Sequence, residues 1–334
     1  MVSKVTMQDI ADNLGISKVS VSKVINNQPG IGDKMRQQIL AKAQELGYVK
    51  APRISSIGKQ TLKFAIISSK RFFCVEEAFY TNIYYYLNKR CIEKGYSVST
   101  FIMDENEETA VKIPPQLTKE NFDGIFILGE ISSSMIEKIQ KLNGAKMTVD
   151  FFKQDSNMDS VIIDNFSIGT EVTNYLIEKG HRKIGFVGNI HHTTNICDRY
   201  FGYQKALVLA GLPYKEEWNL INNNEENEYT LEIQLPIDMP TAFVCHCDKA
   251  AFFLMRSLKK NGIKIPSEVS IVSFDNTSIC ELATPTLTSV KIDCKELAMT
   301  SFEQMMYRVD HMEMSPQKII LSCKLIERNS VALV

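Results

Sequence analysis

The chain has no N-terminal run that joins a basic start to a long apolar stretch, and no window near 18 uninterrupted apolar residues. Secretion and membrane spanning are therefore not indicated, and a cytoplasmic location is expected by default. The eight cysteines, Cys74, Cys91, Cys197, Cys245, Cys247, Cys280, Cys294 and Cys323, lack the dense spacing of a disulfide framework and read as reduced thiols. The stretch "CHCD" (Cys245 to Asp248) lacks the second Cys or His pair that a closed zinc site needs. Also absent are GxGxxG and GxxxxGK[ST] phosphate loops and the GxSxG nucleophile elbow. His181, His191 and His192 lack ligand or triad spacing. Little is left for an enzyme or a cofactor: no catalytic residue, metal or cofactor is assigned.

What is present is a charge asymmetry. Residues 1–60 carry nine Lys or Arg (Lys4, Lys18, Lys23, Lys34, Arg36, Lys42, Lys50, Arg53, Lys59) against four acids (Asp9, Asp12, Asp33, Glu45), a net of +5 in a chain whose total is −1. A small basic head on a mildly acidic body of 334 residues in all implies that the head meets a polyanion. At this length two or three domains are expected.

Within the head, "SKVSVSKVIN" (Ser17 to Asn26) alternates like a half-buried strand. Yet Val21, Val24 and Ile25 also stand at i, i+3 and i+4, the stripe of a helix. Its neighbours decide between the two. Thr6 is an N-cap before Ile10, Ala11 and Leu14; Gly15 stops that helix, and Ser17 caps the next. Asn26 to Gly30 is turn chemistry, and "DKMRQQILAKAQELGY" supplies a third helix with Met35, Ile39, Leu40, Ala43 and Leu46 inward and Gly47 as its stop.

Three short helices with a tight turn at Gly15 make a helix-turn-helix, whose second helix enters the DNA major groove. Lys18, Val19 and either Ser22 or Lys23 face away from the core and are the candidate base readers. Lysine donates to guanine, and an exposed valine packs on a thymine methyl. Thr6, Ser17, Ser20, Ser22 and Asn26 are short donors for phosphate oxygens.

From Phe64 onward, apolar runs alternate with helical segments: "FAIISS", "YSVSTFI", "GIFILG", "KMTVDF", "SVIID", "IGFVGN", "TAFVCHCD" and "VSIVSFDN". Such runs belong to parallel sheets covered on both faces. Their number calls for two doubly wound lobes, with a ligand cleft at the carboxyl ends of the strands.

"VTMQDIADNLGISKVSVSKVINN" closely resembles the DNA-binding head of the lactose-repressor (LacI/GalR) family of bacterial transcription regulators. The resemblance continues through "VIIDNFSIGTEVTNYLIEKGHRKIGFVG", "DRYFGYQKAL", "PTAFVCHCDKAA", "GIKIPSEVSIVSFDN", "TPTLTSVKID" and "LIERNSV". It implies Lys18, Val19 and Lys23 as base readers, and a body folded like a periplasmic sugar-binding protein that crosses between lobes three times and dimerises. Where the family has an Ala-Arg-x-Leu hinge helix, this chain has "VKAPRISSIGKQTLKF", with Ile57 at the wedge position and Pro52 late. A hinge helix over 53–58 and a plain flexible linker both fit.

The domains expected are a head over 1–50, a linker over 51–63, and a body over 64–334. Within the body, lobe 1 comprises 64–163 and 294–322, and lobe 2 comprises 164–293 and 323–334. By the same resemblance the effector contacts are Phe79, Tyr80, Glu130, Asp150 and Phe151 from lobe 1, and Arg199, Asp248 and Asp275 from lobe 2. Carboxylates and a guanidinium suit sugar hydroxyls, while aromatics stack on a sugar or a base. Cys247 stands where sugar-responsive relatives often carry Asn, and the loop 222–230 has lost recognisable family residues.

The function implied is a DNA-binding regulator, expected to repress, controlled by a sugar or phosphosugar. A purine-sensing regulator and a sugar-modifying enzyme are the alternatives. The partners expected are a two-fold symmetric double-stranded operator, the effector and a second copy of the chain, with a co-regulator protein as a further one to test.

Overall fold

The computed structural model describes residues 5–25, 30–46, 48, 61–73, 78–221 and 232–334. It divides into two compact units, Met1–Gln60 and Thr61–Val334. Asn26, Gly47, Lys4, Ile57, the 53–58 segment and the 222–230 loop lie outside the described residues.

The first unit is three helices: α1 (Met7–Leu14), α2 (Lys18–Ile25) and α3 (Asp33–Glu45). Thr6 opens α1 with a reciprocal cap: its hydroxyl accepts the Asp9 N–H at 3.3 Å, and the Asp9 carboxylate accepts the Thr6 N–H at 2.7 Å. Gly15 ends it at φ 65°, a left-handed turn that costs glycine nothing. The chain re-enters a helix at once because the Ser17 hydroxyl accepts the Ser20 N–H at 3.1 Å.

The alternating stretch is therefore helical, and Val21 and Val24 are the residues it buries, against Ile10, Ala11, Ile39 and Ala43. Ile25 and Leu46 are only partly covered. Two residues of α3 expected inward are not: Leu40 is 48% exposed and Met35 37%. Ile39, Ala43 and Leu46 already form the i, i+4, i+7 stripe. Leu40 stands about 100° round the helix from it, and Met35 falls outside the cluster.

The second unit begins with β1 (Lys63–Ser69), α4 (Ala78–Glu93), β2 (Ser97–Met103), α5 (Glu105–Thr109), α6 (Pro115–Lys119), β3 (Gly124–Leu128), α7 (Ser133–Gln140), β4 (Ala145–Val149) and β5 (Asp159–Ile163). It then runs α8 (Asn165–Glu178), β6 (Ile184–Val187), α9 (Thr194–Leu209), β7 (Asn219–Leu220), β8 (Ala242–Cys245), α10 (Asp248–Lys260), β9 (Ser270–Asp275), α11 (Ile279–Leu282) and β10 (Thr288–Lys291). The chain closes with α12 (Cys294–Asp310), β11 (Lys318–Leu321) and β12 (Lys324–Ile326).

Two six-stranded sheets result, ordered β11-β5-β4-β3-β1-β2 and β12-β10-β9-β8-β6-β7. The first is parallel throughout; the second is parallel except for β12, which runs antiparallel to β10. β3 and β5 are buried at every position, which is why their sequences show no polar alternation. The chain passes between the sheets after β5, after β10 and after β11. The eight apolar runs supply β1–β6, β8 and β9. The other four strands are two to four residues long, and each carries a polar or charged residue that breaks an apolar run.

Candidate functional site

In the head, Lys18 and Val19 are exposed at the start of α2, and Val19 at 64% has no core to join. Ser22 and Lys23 are half-buried on the same helix. The Thr6 and Ser17 hydroxyls act as helix caps, and Ser17 Oγ lies 2.9 Å from Ser20 Oγ.

In the body, the carboxyl ends of the two sheets bring together residues distant in sequence. Arg199, in the second turn of α9, is buried, with its guanidinium 4.4 Å from the centre of the Phe274 ring. Its Nε donates to Asn165 Oδ1 at 2.7 Å, its Nη1 donates to the His246 carbonyl, and Nη1 lies 3.6 Å from Asp275 Oδ1. His246 stays neutral, its pKa pushed down to about 3 by burial and by the nearby Arg199 charge.

From lobe 1, Asp150 follows β4 at φ 67°, as Asp275 ends β9 at φ 97°. Both occupy left-handed positions that short acidic side chains tolerate. Asp150 Oδ2 accepts from Tyr80 Oη at 2.8 Å and from Asn195 Nδ2 at 3.1 Å, and its carbonyl accepts from the same Nδ2 at 2.7 Å. Its other oxygen, Oδ1, is buried with no partner among the described residues, and so is Ser69 Oγ at the end of β1. Glu130, after β3, accepts the Thr194 N–H at 2.6 Å and the Thr194 hydroxyl at 2.8 Å through Oε2. The start of α9 thus grips both carboxylates across the lobes.

The loop carrying Glu130 is itself clamped. Its carbonyl accepts from Arg71 Nη2 at 2.5 Å, Arg71 forks onto Glu108 at 3.0 and 3.3 Å, and Glu108 accepts the Ser132 N–H at 2.7 Å.

Burial pushes the Asp150 carboxyl up to about 6, and Glu130 adds to the rise; Tyr80, Arg199 and Asn195 pull it back. A raised carboxyl pKa means that the folded chain holds the proton more tightly than the unfolded one. Its contribution to stability is therefore present below about pH 4 and is lost as pH rises through about 6. Asp150→Asn, which also suits the left-handed backbone, should stabilise the body at pH 7.5 by about 2–3 kcal/mol and give no gain near pH 4. Chemical denaturation at the two pH values checks this; an equal effect at both contradicts it.

The effector contacts expected from the sequence separate here. Tyr80, Glu130, Asp150, Arg199 and Asp275 converge. Asp248 does not join them: its Oδ1 accepts from the Ser273 and Ser289 hydroxyls, each at 2.6 Å, and its Oδ2 from the Thr277 N–H at 2.6 Å and hydroxyl at 2.9 Å. With four donors it ties α10 to β9 and β10. Phe151 is fully buried in the lobe 1 core, and Phe79 is core as well, packed edge-on to Tyr80. Sequence reasoning missed Ser69, Asn165, Thr194 and Asn195. Only the Thr-Thr-Asn run ahead of "RYFGY" gave a sign, as a helix cap. Among the described residues no group of His, Cys, Asp and Glu is placed to hold a metal ion, "CHCD" included.

Residues 6–50 match the family model described as bacterial regulatory proteins, lacI family, and residues 173–331 match a periplasmic binding protein-like domain. The HTH-type transcriptional regulator DegA of Bacillus subtilis is 27% identical, with 98% of each chain covered. The HTH-type transcriptional repressor PurR of Actinobacillus pleuropneumoniae is 26% identical, again with 98% of each covered. The lacI-family regulator CCPA of Weissella paramesenteroides with bound glucose superposes with a TM-score of 0.66 at 25% identity, over 81% of this chain and 99% of that one. No helix among the described residues is long and apolar enough to cross a membrane. The chain thus joins a head of the lacI family of bacterial regulatory proteins to a periplasmic binding protein-like body, and it is a DNA-binding transcriptional regulator.

Proposed function

We propose that the protein is a homodimeric repressor whose affinity for a two-fold symmetric operator is set by a sugar bound between the lobes. The observation that carries this reading is the pairing of an unpartnered, buried Asp150 Oδ1 with Arg199 and Asp275 where the two sheets end. An unmet acceptor in a buried polar site is stabilised by a ligand hydroxyl or N–H, and the ligand spans both lobes. Tyr80, Glu130, Asp150, Arg199 and Asp275 are the residues assigned to it. The glucose in the CCPA relative supports a sugar over a purine. So does Phe151, buried away from any base that would stack on it. Closure of the lobes alters the spacing of the two heads through residues 51–63 and so changes operator affinity. The test is a titration of the operator complex with a hexose panel, read by fluorescence anisotropy. Operator binding that no sugar changes rejects the sugar-sensing reading.

On the DNA, Lys18 and Val19 read base edges, Lys23 flanks them, and Thr6, Ser17, Ser20 and Ser22 set register on phosphates. Lys18→Ala should broaden the consensus at one base pair per half-site, a loss of about 1–3 kcal/mol of discrimination. Selection from randomised DNA checks this. An unchanged consensus removes Lys18 from the readers.

A further inference from the structure

Carboxylates crowd the cleft, and their shared sign narrows the ligand class. Glu130, Asp150 and Asp275 all sit at strand ends around it, and Asp198, on the first turns of α9, lies close enough to Glu130 for the two charges to repel. The two guanidinium groups nearby already serve acceptors of the protein, which lowers the charge they offer a ligand. Arg199 serves Asn165, the His246 carbonyl and Asp275, while Arg71 serves Glu108 and the Glu130 carbonyl. A phosphosugar or a sugar acid would bring a further negative charge to three carboxylates. A neutral sugar would satisfy hydrogen bonds and add no counter-charge for the buried Asp150 beyond the pull of Arg199.

Two groups independent of that charge count point to a missing ligand. Asp150 Oδ1 is an acceptor on a side chain 1% exposed, and Ser69 Oγ belongs to a side chain that is completely buried; neither has a partner. The pairings of Ser68 with Leu128 and of Leu128 with Val149 put Ser69, Gly129 and Asp150 level on β1, β3 and β4. Their backbones are therefore about 10 Å apart at the outer positions, a span that one or two sugar rings bridge. The carboxylate already accepts Tyr80 and Asn195 on Oδ2, so Oδ1 is the direction left for a charged donor.

We propose that the effector is an amino sugar, with its ammonium group on Asp150 Oδ1 and its hydroxyls shared among Ser69, Glu130 and Asp275. This rests on the sugar-sensing reading above and specifies the ligand of that same cleft. A charged hydrogen bond made out of water is among the strongest available to a side chain, and it discriminates by charge what the neutral sugar cannot offer.

The probes are glucosamine, galactosamine and mannosamine against glucose, galactose and mannose, with the N-acetyl and 6-phosphate derivatives of the amines as controls. Each is titrated calorimetrically into the full-length protein at pH 7.5. An amine is expected to bind at least tenfold tighter than its parent hexose. N-acetylation or the phosphate should reverse the preference, and Asp150→Asn should abolish it while near-ultraviolet dichroism shows the variant folded. A parent hexose or a 6-phosphate that binds as tightly as the amine overturns the amino sugar and leaves sugar sensing intact. An amine preference that persists in Asp150→Asn overturns the seat assigned to the ammonium. Binding of none of these compounds rejects both this proposal and the sugar cleft.

Discussion

Arg199→Ala is expected to abolish the response to effector while leaving operator binding in place, and to destabilise the body by about 3–5 kcal/mol. The size of the effect follows from what the guanidinium does without ligand. It packs over Phe274, holds Asn165 and the His246 carbonyl, and lies beside the Asp275 carboxylate. Removing it takes the counter-charge from the half-buried Asp275 and a donor from both Asn165 Oδ1 and the His246 carbonyl, which costs more than a lost contact between neutral groups. The head folds as a separate unit with its own core, so operator affinity should persist. Two controls separate a binding role from a structural one. Arg199→Lys keeps the charge and loses the planar fork, so it should recover stability better than ligand affinity. Asp275→Asn placed on Arg199→Ala should restore part of the lost stability, because the uncompensated charge is gone. Equal effector potency in Arg199→Ala and the parent protein would remove Arg199 from the site.

Sequence alone exposed some of these relations and concealed others, and the distance over which each is decided explains the division. The head was legible because Thr6, Gly15 and Ser17 act on neighbours within four residues. Leu40 and Met35 misled because an apolar residue beside a helical stripe looks like part of it until the partner helices are placed. In the body, the apolar runs gave the principal strands, and Arg199 and Asp275 were singled out through the family resemblance of their local motifs. Asp248 was not separable from them by its own surroundings. Its environment is set by Ser273, Thr277 and Ser289, which lie 25 to 41 residues away and reach it only once β9 and β10 pair. The same holds for the grip of Thr194 on Glu130 across 64 residues and of Asn195 on Asp150 across 45. Phe151 shows the converse: next to a site residue in sequence, it packs into the lobe 1 core once the chain has turned at the left-handed Asp150.

Gly202→Ala should damage the body strongly, although alanine is the better helix former by about 1 kcal/mol. A Cβ at Gly202 would overlap the Phe166 carbonyl oxygen and come within 2.8 Å of the Thr170 nitrogen and 3.0 Å of the Gly169 carbonyl carbon. At Gly169, facing it on α8, a Cβ would meet the Arg199 carbonyl oxygen at 2.5 Å and its Cα at 3.0 Å. All of these are backbone atoms, which no rotamer change can move aside, so α9 would have to withdraw from α8. The two glycines let α9 lie close enough for Arg199 to reach Asn165 at 2.7 Å, and a shift of about 1 Å breaks that bond. Overpacking of this kind costs typically 1–3 kcal/mol, and here the displaced guanidinium adds to it, so a loss of about 3 kcal/mol or more is expected. Effector affinity should fall with it, whereas operator binding by the head should not. Thermal melts and effector titrations of Gly202→Ala and Gly169→Ala give the answer. A Gly202→Ala protein that melts at or above the parent temperature would show that helix propensity governs this contact, and that the close approach of α8 and α9 does not position Arg199.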